Sequence, residues 1–361
     1  MQRRRYAILG TRGIPATYGG FETFAEELAT RLVARGHRVT VYCRQPHASP
    51  YRGVDLVSLP TIRHKYFDTV AHTALSTLHV LFHRHDALLY CNAANALFTW
   101  IPRLVGMPVA LNVDGLERKR KKWNALGRAW YLMSEWLSTW MPTAIISDAE
   151  KIEEYYRQRY GKASTFIPYG AETQPVASTG ILQQLGLEPR KYFLYVSRME
   201  PENNGLLVRE AFERLPGDWK LALIGDAPYA HEYIRRVRDT RDPRVVMPGA
   251  IYGRGYQELQ SHCFAYVHAT EVGGTHPALI EAMGRGALTV YLETVENREV
   301  AGEAGLAFEP SHLTETLARL VAMPEDEREQ WRARARRRVE ERYSWEAVTT
   351  AYEALLDRLT Q

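Results

Sequence analysis

Short apolar runs and longer amphipathic runs alternate along almost the whole chain, and this rhythm restricts the fold more than any other feature. Tyr6–Gly10, Arg38–Cys43, Val54–Leu59, Ala87–Cys91, Pro108–Val113 and Thr143–Ser147 read as strands. Phe21–Arg35, Thr69–His83 and Lys122–Trp140 read as helices between them, with Gly36 where a C-terminal cap glycine belongs. Interleaving of this kind predicts parallel sheets covered by helices on both faces. Near 168–191 the pattern breaks into a small, polar, Pro-containing stretch, then restarts. Tyr192–Ser197, Trp219–Ile224, Arg244–Met247, Phe264–Ala269 and Ala287–Leu292 are the second set of strands, and the last ~50 residues are helical. The expected division is 1–170, 171–342 and a final helix in 343–361, giving two doubly wound, Rossmann-like domains facing a central cleft.

A length of 361 residues suits two such domains, and 45% hydrophobic with 24% charged residues excludes a disordered or low-complexity chain. Lys plus Arg number 46 against 42 Asp plus Glu, a net +4 that gives no argument for nucleic acid. The three cysteines are far apart with no CxxC, against a disulfide framework or a Cys-rich zinc site and in keeping with a reducing cytosol. The basic start MQRRR is followed only by Tyr6–Leu9 before Gly10 interrupts, so it reads as the entry to a buried strand rather than a signal peptide. No run approaches the ~18 apolar residues that span a bilayer. The expectation is a soluble chain, or one that sits on a membrane.

Four segments carry candidate chemistry. The first strand leads through Gly10-Thr11-Arg12-Gly13 to Gly19-Gly20 and a helix, where exposed amides can meet an anion. The spacing is not GxGxxG and strand two ends Cys43-Arg44-Gln45 without an acid, so NAD binding is disfavoured. A glycine-rich turn without a ligand is the plain alternative. After the first strand of the second domain comes Ser197-Arg198-Met199-Glu200-Pro201-Glu202-Asn203-Asn204-Gly205. A guanidinium at that strand end can grip a diphosphate with two parallel bonds; a surface Arg paired with Glu200 or Glu202 is the alternative.

In the third segment, Glu271 to Met283, two glycines precede Thr275 or His276 as N-cap and Pro277 in the first turn, a second anion site. Glu281 lies one turn further in, where an acid is also favoured by the helix dipole alone. The fourth is Asn112-Val113-Asp114, followed by Arg118-Lys119-Arg120-Lys121-Lys122-Trp123 and a tryptophan-rich helix. Asp114 ends a strand and reaches the crevice. Basic heads beside tryptophans suit an anionic membrane; a solvated charge run before a core helix is the alternative. The histidines show no HExxH spacing, and neither a GxSxG elbow nor a P-loop occurs, so no metal site is expected.

Together these residues resemble the family-4 glycosyltransferases, along nearly the whole chain. The resemblance is carried by Gly19-Gly20-Phe21-Glu22, Ile167-Pro168-Tyr169-Gly170, Ser197-Arg198, Ile224-Gly225-Asp226, Pro277 to Met283, and Tyr343-Ser344-Trp345. Gly10-Thr11-Arg12-Gly13-Ile14-Pro15, Tyr18 to Thr23, Val113-Asp114-Gly115-Leu116-Glu117 and Gly273-Gly274-Thr275-His276-Pro277 are similar to the bacterial rhamnosyltransferase-type subgroup. The resemblance implies a GT-B fold whose last helix crosses back to the first domain. It further implies a retaining, metal-independent transfer with no cofactor beyond the nucleotide-sugar, and a peripheral place on the cytoplasmic face of the membrane.

Under that resemblance the donor site is Gly19, Gly20, Arg198, Asn203, Ile251, Gly274, Thr275, His276 and Glu281. Glu281 would hold the ribose hydroxyls and the backbone near Ile251 the base. Asp114 would position or activate the acceptor. The implied donor is dTDP-β-L-rhamnose and the acceptor a saccharide on a polyprenyl diphosphate, with Arg118 to Lys122 and Trp123 against anionic lipid. Two departures stand out. Of the wider family's two glutamates eight positions apart, only Glu281 is present and Gly273 holds the other place. Asn203 stands where a lysine is usual; the subgroup shares both changes. A UDP- or GDP-sugar transferase, a GT-B epimerase or phosphorylase, and a non-catalytic sugar-nucleotide binder are the competing readings.

Overall fold

The computed structural model describes residues 3–17, 19–62, 67–120, 123–227 and 230–361. Its chain forms two compact units, residues 1–169 with 345–361, and residues 170–344.

The first unit carries a seven-stranded parallel sheet. Its strands are β1 (Arg5–Leu9), β2 (Arg38–Cys43), β3 (Asp55–Ser58), β4 (Ala87–Cys91), β5 (Val109–Asn112), β6 (Ala144–Ser147) and β7 (Thr165–Phe166). Their spatial order is β3-β2-β1-β4-β5-β6-β7, so the winding reverses between β1 and β4. Ala87–Cys91 is buried throughout, as a strand covered on both faces must be. The helices are α1 (Gly20–Ala34), α2 (Asp68–Val80), the short α3 (Trp100–Arg103), α4 (Ala125–Leu137) and α5 (Glu150–Tyr160). Gly36, at φ +96°, follows α1 in the left-handed region that ends many helices. Gly10 has a sharper reason to be glycine: with φ +90°, a Cβ there would lie 2.4 Å from the Cys91 carbonyl oxygen.

The second unit has six parallel strands: β8 (Tyr192–Val196), β9 (Lys220–Ile224), β10 (Val245–Gly249), β11 (Ala265–His268), β12 (Leu288–Leu292) and β13 (Leu306–Phe308). They are ordered β10-β9-β8-β11-β12-β13, with the reversal between β8 and β11. Its helices are α6 (Gly180–Gln184), α7 (Gly205–Glu213), α8 (His231–Arg238), α9 (Gly253–His262), α10 (Pro277–Gly284), α11 (Val295–Ala301), α12 (Leu313–Ala322) and α13 (Glu325–Arg342). Phe193, Val208, Phe212, Leu221, Phe264 and Leu288 are among its fully buried core.

The final helix, α14 (Trp345–Leu359), belongs to the first unit. Its Glu353 accepts from Arg35 at 2.6 Å and meets His37 Nε2 at 2.7 Å, both close behind α1. Tyr352 packs on Phe24 at 5.1 Å between ring centroids, and the Tyr6 hydroxyl donates to Asp357 at 2.6 Å.

Candidate active site

Ligands of open α/β sheets bind outside the carboxyl ends of the strands where the winding reverses. In the second unit the loops at that place follow β8 and β11, and they hold Arg198 and Gly273–His276. The loops are stitched together. The Glu271 amide donates to the Glu202 carbonyl at 2.9 Å, and Asn204 Nδ2 donates to the Ala269 carbonyl at 2.9 Å and to Glu271 at 3.0 Å. Asn203 turns its amide inward, donating to the Arg198 carbonyl at 2.7 Å, so it shapes the Arg198 loop from within. Arg198 keeps 33% of its side chain exposed, and its ion pair with Glu200 is long, 3.9 Å. Directly beneath, Gly225 (φ +145°) leaves β9 so close to this loop that a Cβ would sit 1.8 Å from the Ser197 carbonyl oxygen. The glycine of Ile224-Gly225-Asp226 is therefore a packing requirement of the Arg198 loop.

His276 is the N-cap residue of α10, with Pro277 in the first turn and no side-chain cap bond. The opening amides of the helix are thus not occupied by a capping side chain. The His276 ring explains the glycine at 273: a Cβ there would lie 2.4 Å from His276 Cε1 and 3.1 Å from both ring nitrogens. The imidazole occupies the space a side chain at 273 would need. Behind it, 4.8 Å between centroids, lies His268, fully enclosed and held neutral by burial, its pKa pushed down to about 3.

Glu281 is gripped by a residue that the sequence pattern did not single out. The Tyr256 hydroxyl donates to its Oε2 at 2.6 Å and accepts from Gln260 Nε2 at 2.7 Å. Burial pushes the Tyr256 pKa far up and the Glu281 carboxylate adds to it, so the phenol stays a donor. Ile251 lies in the connection from β10 to α9 and packs on Gly255, where a Cβ would meet its Cγ2 at 3.2 Å.

In the first unit, Gly19 and Gly20 open α1 after the reversal-point loop of β1. The loop is pinned by Glu22, which accepts from the Arg12 amide at 2.9 Å and whose pKa is raised by burial. Asp114 follows β5 with φ +59°, its amide donating to Asn112 Oδ1 at 3.0 Å. Asn112 in turn donates to the Tyr352 hydroxyl at 2.8 Å, so α14 helps hold the Asp114 turn. Burial, then the Glu22 and Asp114 carboxylates, push the Cys91 thiol well up.

The basic segment is less free than its sequence suggests. Arg118 pairs with Glu135 at 2.9 Å and donates to the Tyr155 hydroxyl, Arg120 pairs with Glu117, and the Trp123 indole donates to Glu117 at 3.1 Å. Lys119 is exposed. Lys121, Lys122 and, in the first glycine segment, Tyr18 lie outside the described residues. Among the described residues, no group of three or more His, Cys, Asp or Glu side chains is arranged to hold a metal.

Two parallel α/β sheets with ligand loops at both reversal points define a GT-B architecture, and comparison with known proteins agrees. Residues 190–323, within the second unit, match the family described as glycosyl transferases group 1. Residues 3–172 match a family described as a domain of unknown function (DUF1972). Similar structures include sucrose-phosphate synthase from Thermosynechococcus elongatus, with TM-score 0.81, 21% identity and 99% of each chain covered. Another is HepE from Anabaena in complex with UDP and glucose, with TM-score 0.80, 15% identity, and 99% of this chain and 100% of that one covered. A curated relative, the O-antigen chain mannosyltransferase B of Escherichia coli, is 25% identical over 197 residues, 52% of this chain. The match spans half the length of that relative.

Proposed function

We propose that this chain is a retaining, family-4 glycosyltransferase of the rhamnosyltransferase-type subgroup. It moves L-rhamnose from dTDP-β-L-rhamnose to a polyprenyl-diphosphate-linked saccharide in cell-surface polysaccharide synthesis. The observation that carries this reading is the reversal point of the second sheet. There Arg198 and the Gly274–His276 approach to α10 lie on two loops stitched to each other, with Glu281 oriented by Tyr256. Such a place suits a diphosphate whose charge grows as it leaves, and preorganised donors there contribute several kcal/mol. The glycosyl C1–oxygen bond to the diphosphate breaks, the acceptor oxygen bonds to C1 on the same face, and the acceptor proton passes to the departing phosphate. Retention from a β-linked donor gives a β-L-rhamnosyl product. Glu281 holds the ribose hydroxyls, the backbone at Ile251 the base, and Asp114 the acceptor hydroxyl. The Gly19-Gly20 loop adds amides to the diphosphate, and no metal takes part. A lipid-linked acceptor places the work at the cytoplasmic face of the membrane. The HepE structure with UDP and glucose, and the O-antigen activity in the relative's name, support a nucleotide-sugar donor and a polysaccharide product.

The test is a thermal-shift panel of dTDP, UDP, GDP, ADP, NAD and dTDP-rhamnose, followed by transfer assays on lipid-linked acceptors. A ligand at a hundred times its dissociation constant stabilises by about 2.7 kcal/mol. A selective dTDP and dTDP-rhamnose response supports the donor; a selective UDP or GDP response keeps the transferase and replaces rhamnose. A response to NAD alone overturns the transferase.

A further inference from the structure

Two helices of the first unit bury polar side chains and expose large apolar ones. In α2 the face against the sheet is His72, Thr73, Ser76 and Thr77, all fully buried, while Leu75, Leu78 and, just beyond its end, Phe82 face solvent. In α4 Ser134, Glu135 and, just past its end, Ser138 are buried beside Tyr131 and Leu137, while Leu132, Met133, Trp136 and Trp140 are exposed. An ordinary surface helix does the reverse. Four of these buried polar side chains have partners: Thr77 with Tyr90 at 2.8 Å, His72 with the Cys43 carbonyl at 3.1 Å, Glu135 with Arg118 and Tyr155, and Ser138 with the Ser134 carbonyl. These bonds help hold the polar residues inward, and Leu75, Leu78, Leu132, Met133, Trp136 and Trp140 are left outward.

The short helical turn 93–98 packs against both α2 and α4, and α3 beyond it exposes Trp100, Leu104 and Val105. The three helices therefore form one apolar face. It is large for a water-facing surface: Phe82 is 85% exposed, Leu104 72% and Trp136 53%. Its charge has one sign. Among the described residues from 59 to 142, Arg84, Arg103, Lys119 and Arg128 are exposed and no Asp or Glu is.

We infer that the α2–α3–α4 face is a membrane-inserting surface that seats the first unit in an anionic lipid interface. Tryptophans beside leucines suit the acyl boundary, and the cations suit the phosphate layer above it. A second copy of the chain fits less well, because a two-fold contact would bring the same cations together with no exposed acid to meet them. The inference shares the lipid-linked acceptor of the proposed function but not its chemistry. It also differs from docking through the basic segment, since Arg118 and Arg120 are already paired.

The test is co-sedimentation of the full chain with vesicles of phosphatidylcholine alone and of phosphatidylcholine with 30% phosphatidylglycerol, with tryptophan emission read in parallel. Binding to the anionic vesicles with a blue shift is expected. Trp136→Gln with Trp140→Gln should weaken it by at least about tenfold through lost apolar insertion. Arg103→Gln with Arg128→Gln should weaken it about fivefold per charge on anionic vesicles only. Both variants should keep the wild-type helical dichroism and the wild-type thermal shift with nucleotide, which reads the other unit. Wild-type protein left in solution with both vesicle types overturns the inference, as does a dimer by light scattering that the tryptophan variant abolishes. Failure of the proposed transferase would instead appear in the nucleotide panel, with vesicle binding intact.

Discussion

Gly273→Ala adds one carbon where the structure has no room for it. The new Cβ would stand 2.4 Å from His276 Cε1, more than 1 Å inside ordinary contact distance. The ring cannot simply retreat, since His268 is packed behind it and fully enclosed. Overpacking of this kind costs about 1–3 kcal/mol. For a unit of this size each kcal/mol lowers Tm by about 2–4 °C, so the melting of the full chain should fall by roughly 2–12 °C. The same displacement moves the N-cap residue of α10 and with it the backbone at the site, so nucleotide affinity should fall as well. His276→Ala removes the obstructing ring, and the Gly273→Ala, His276→Ala pair should recover much of the stability lost through Gly273→Ala. The measurement is a double-mutant cycle on Tm, read alongside the thermal shift with saturating dTDP. Tm unchanged by Gly273→Ala, or a double variant whose loss equals the sum of the singles, would refute the reasoning. Restoring the acid with Gly273→Glu meets the same ring and should fare no better than alanine.

Arg198→Ala should lower kcat for transfer by about 10²–10³-fold while leaving Tm nearly unchanged, because its side chain is partly exposed and its ion pair with Glu200 is long. Tyr256→Phe removes the hydroxyl that orients Glu281 and should weaken nucleotide binding about fivefold, measured by calorimetry. Acid should destabilise the chain through His72 and His268, whose pKa values burial lowers to about 4 and about 3. Below the ordinary value near 6.5 the unfolded state takes up protons that the folded state refuses. The stability these groups contribute is thus complete above pH 6.5 and is lost as pH falls toward the folded values. His72→Gln should flatten the decline of Tm between pH 6.5 and 4; an unchanged slope refutes that assignment.

Much of the architecture was legible because parallel strands buried on both faces are continuous apolar runs. Arg38–Cys43 and Ala87–Cys91 coincide with β2 and β4. β7 and β13, with two and three residues, are too short to carry a period. α5 has only Ile152 and Tyr156 fully buried, too few for an apolar stripe. Arg198 and the α10 start were readable as loop ends. Tyr256 was not, since its link to Glu281 spans 25 residues and depends on tertiary folding. Periodicity also marks a helix as two-faced without saying which face turns inward. For α2 and α4 that was decided by Tyr90, Arg118 and Tyr155, side chains supplied by other elements.

The membership of α14 in the first unit makes that unit discontinuous in sequence. During synthesis β1 to β7 emerge early, yet the partners of Tyr6, Arg35, His37 and Asn112 lie at residues 352–357. The second unit, unbroken from 170 to 344, has its whole complement of strands before then. Of the two units, the one whose strands are made first thus waits for the other before it is whole, and a chain stopped before residue 350 would leave His37 without its carboxylate and Asn112 without its phenol.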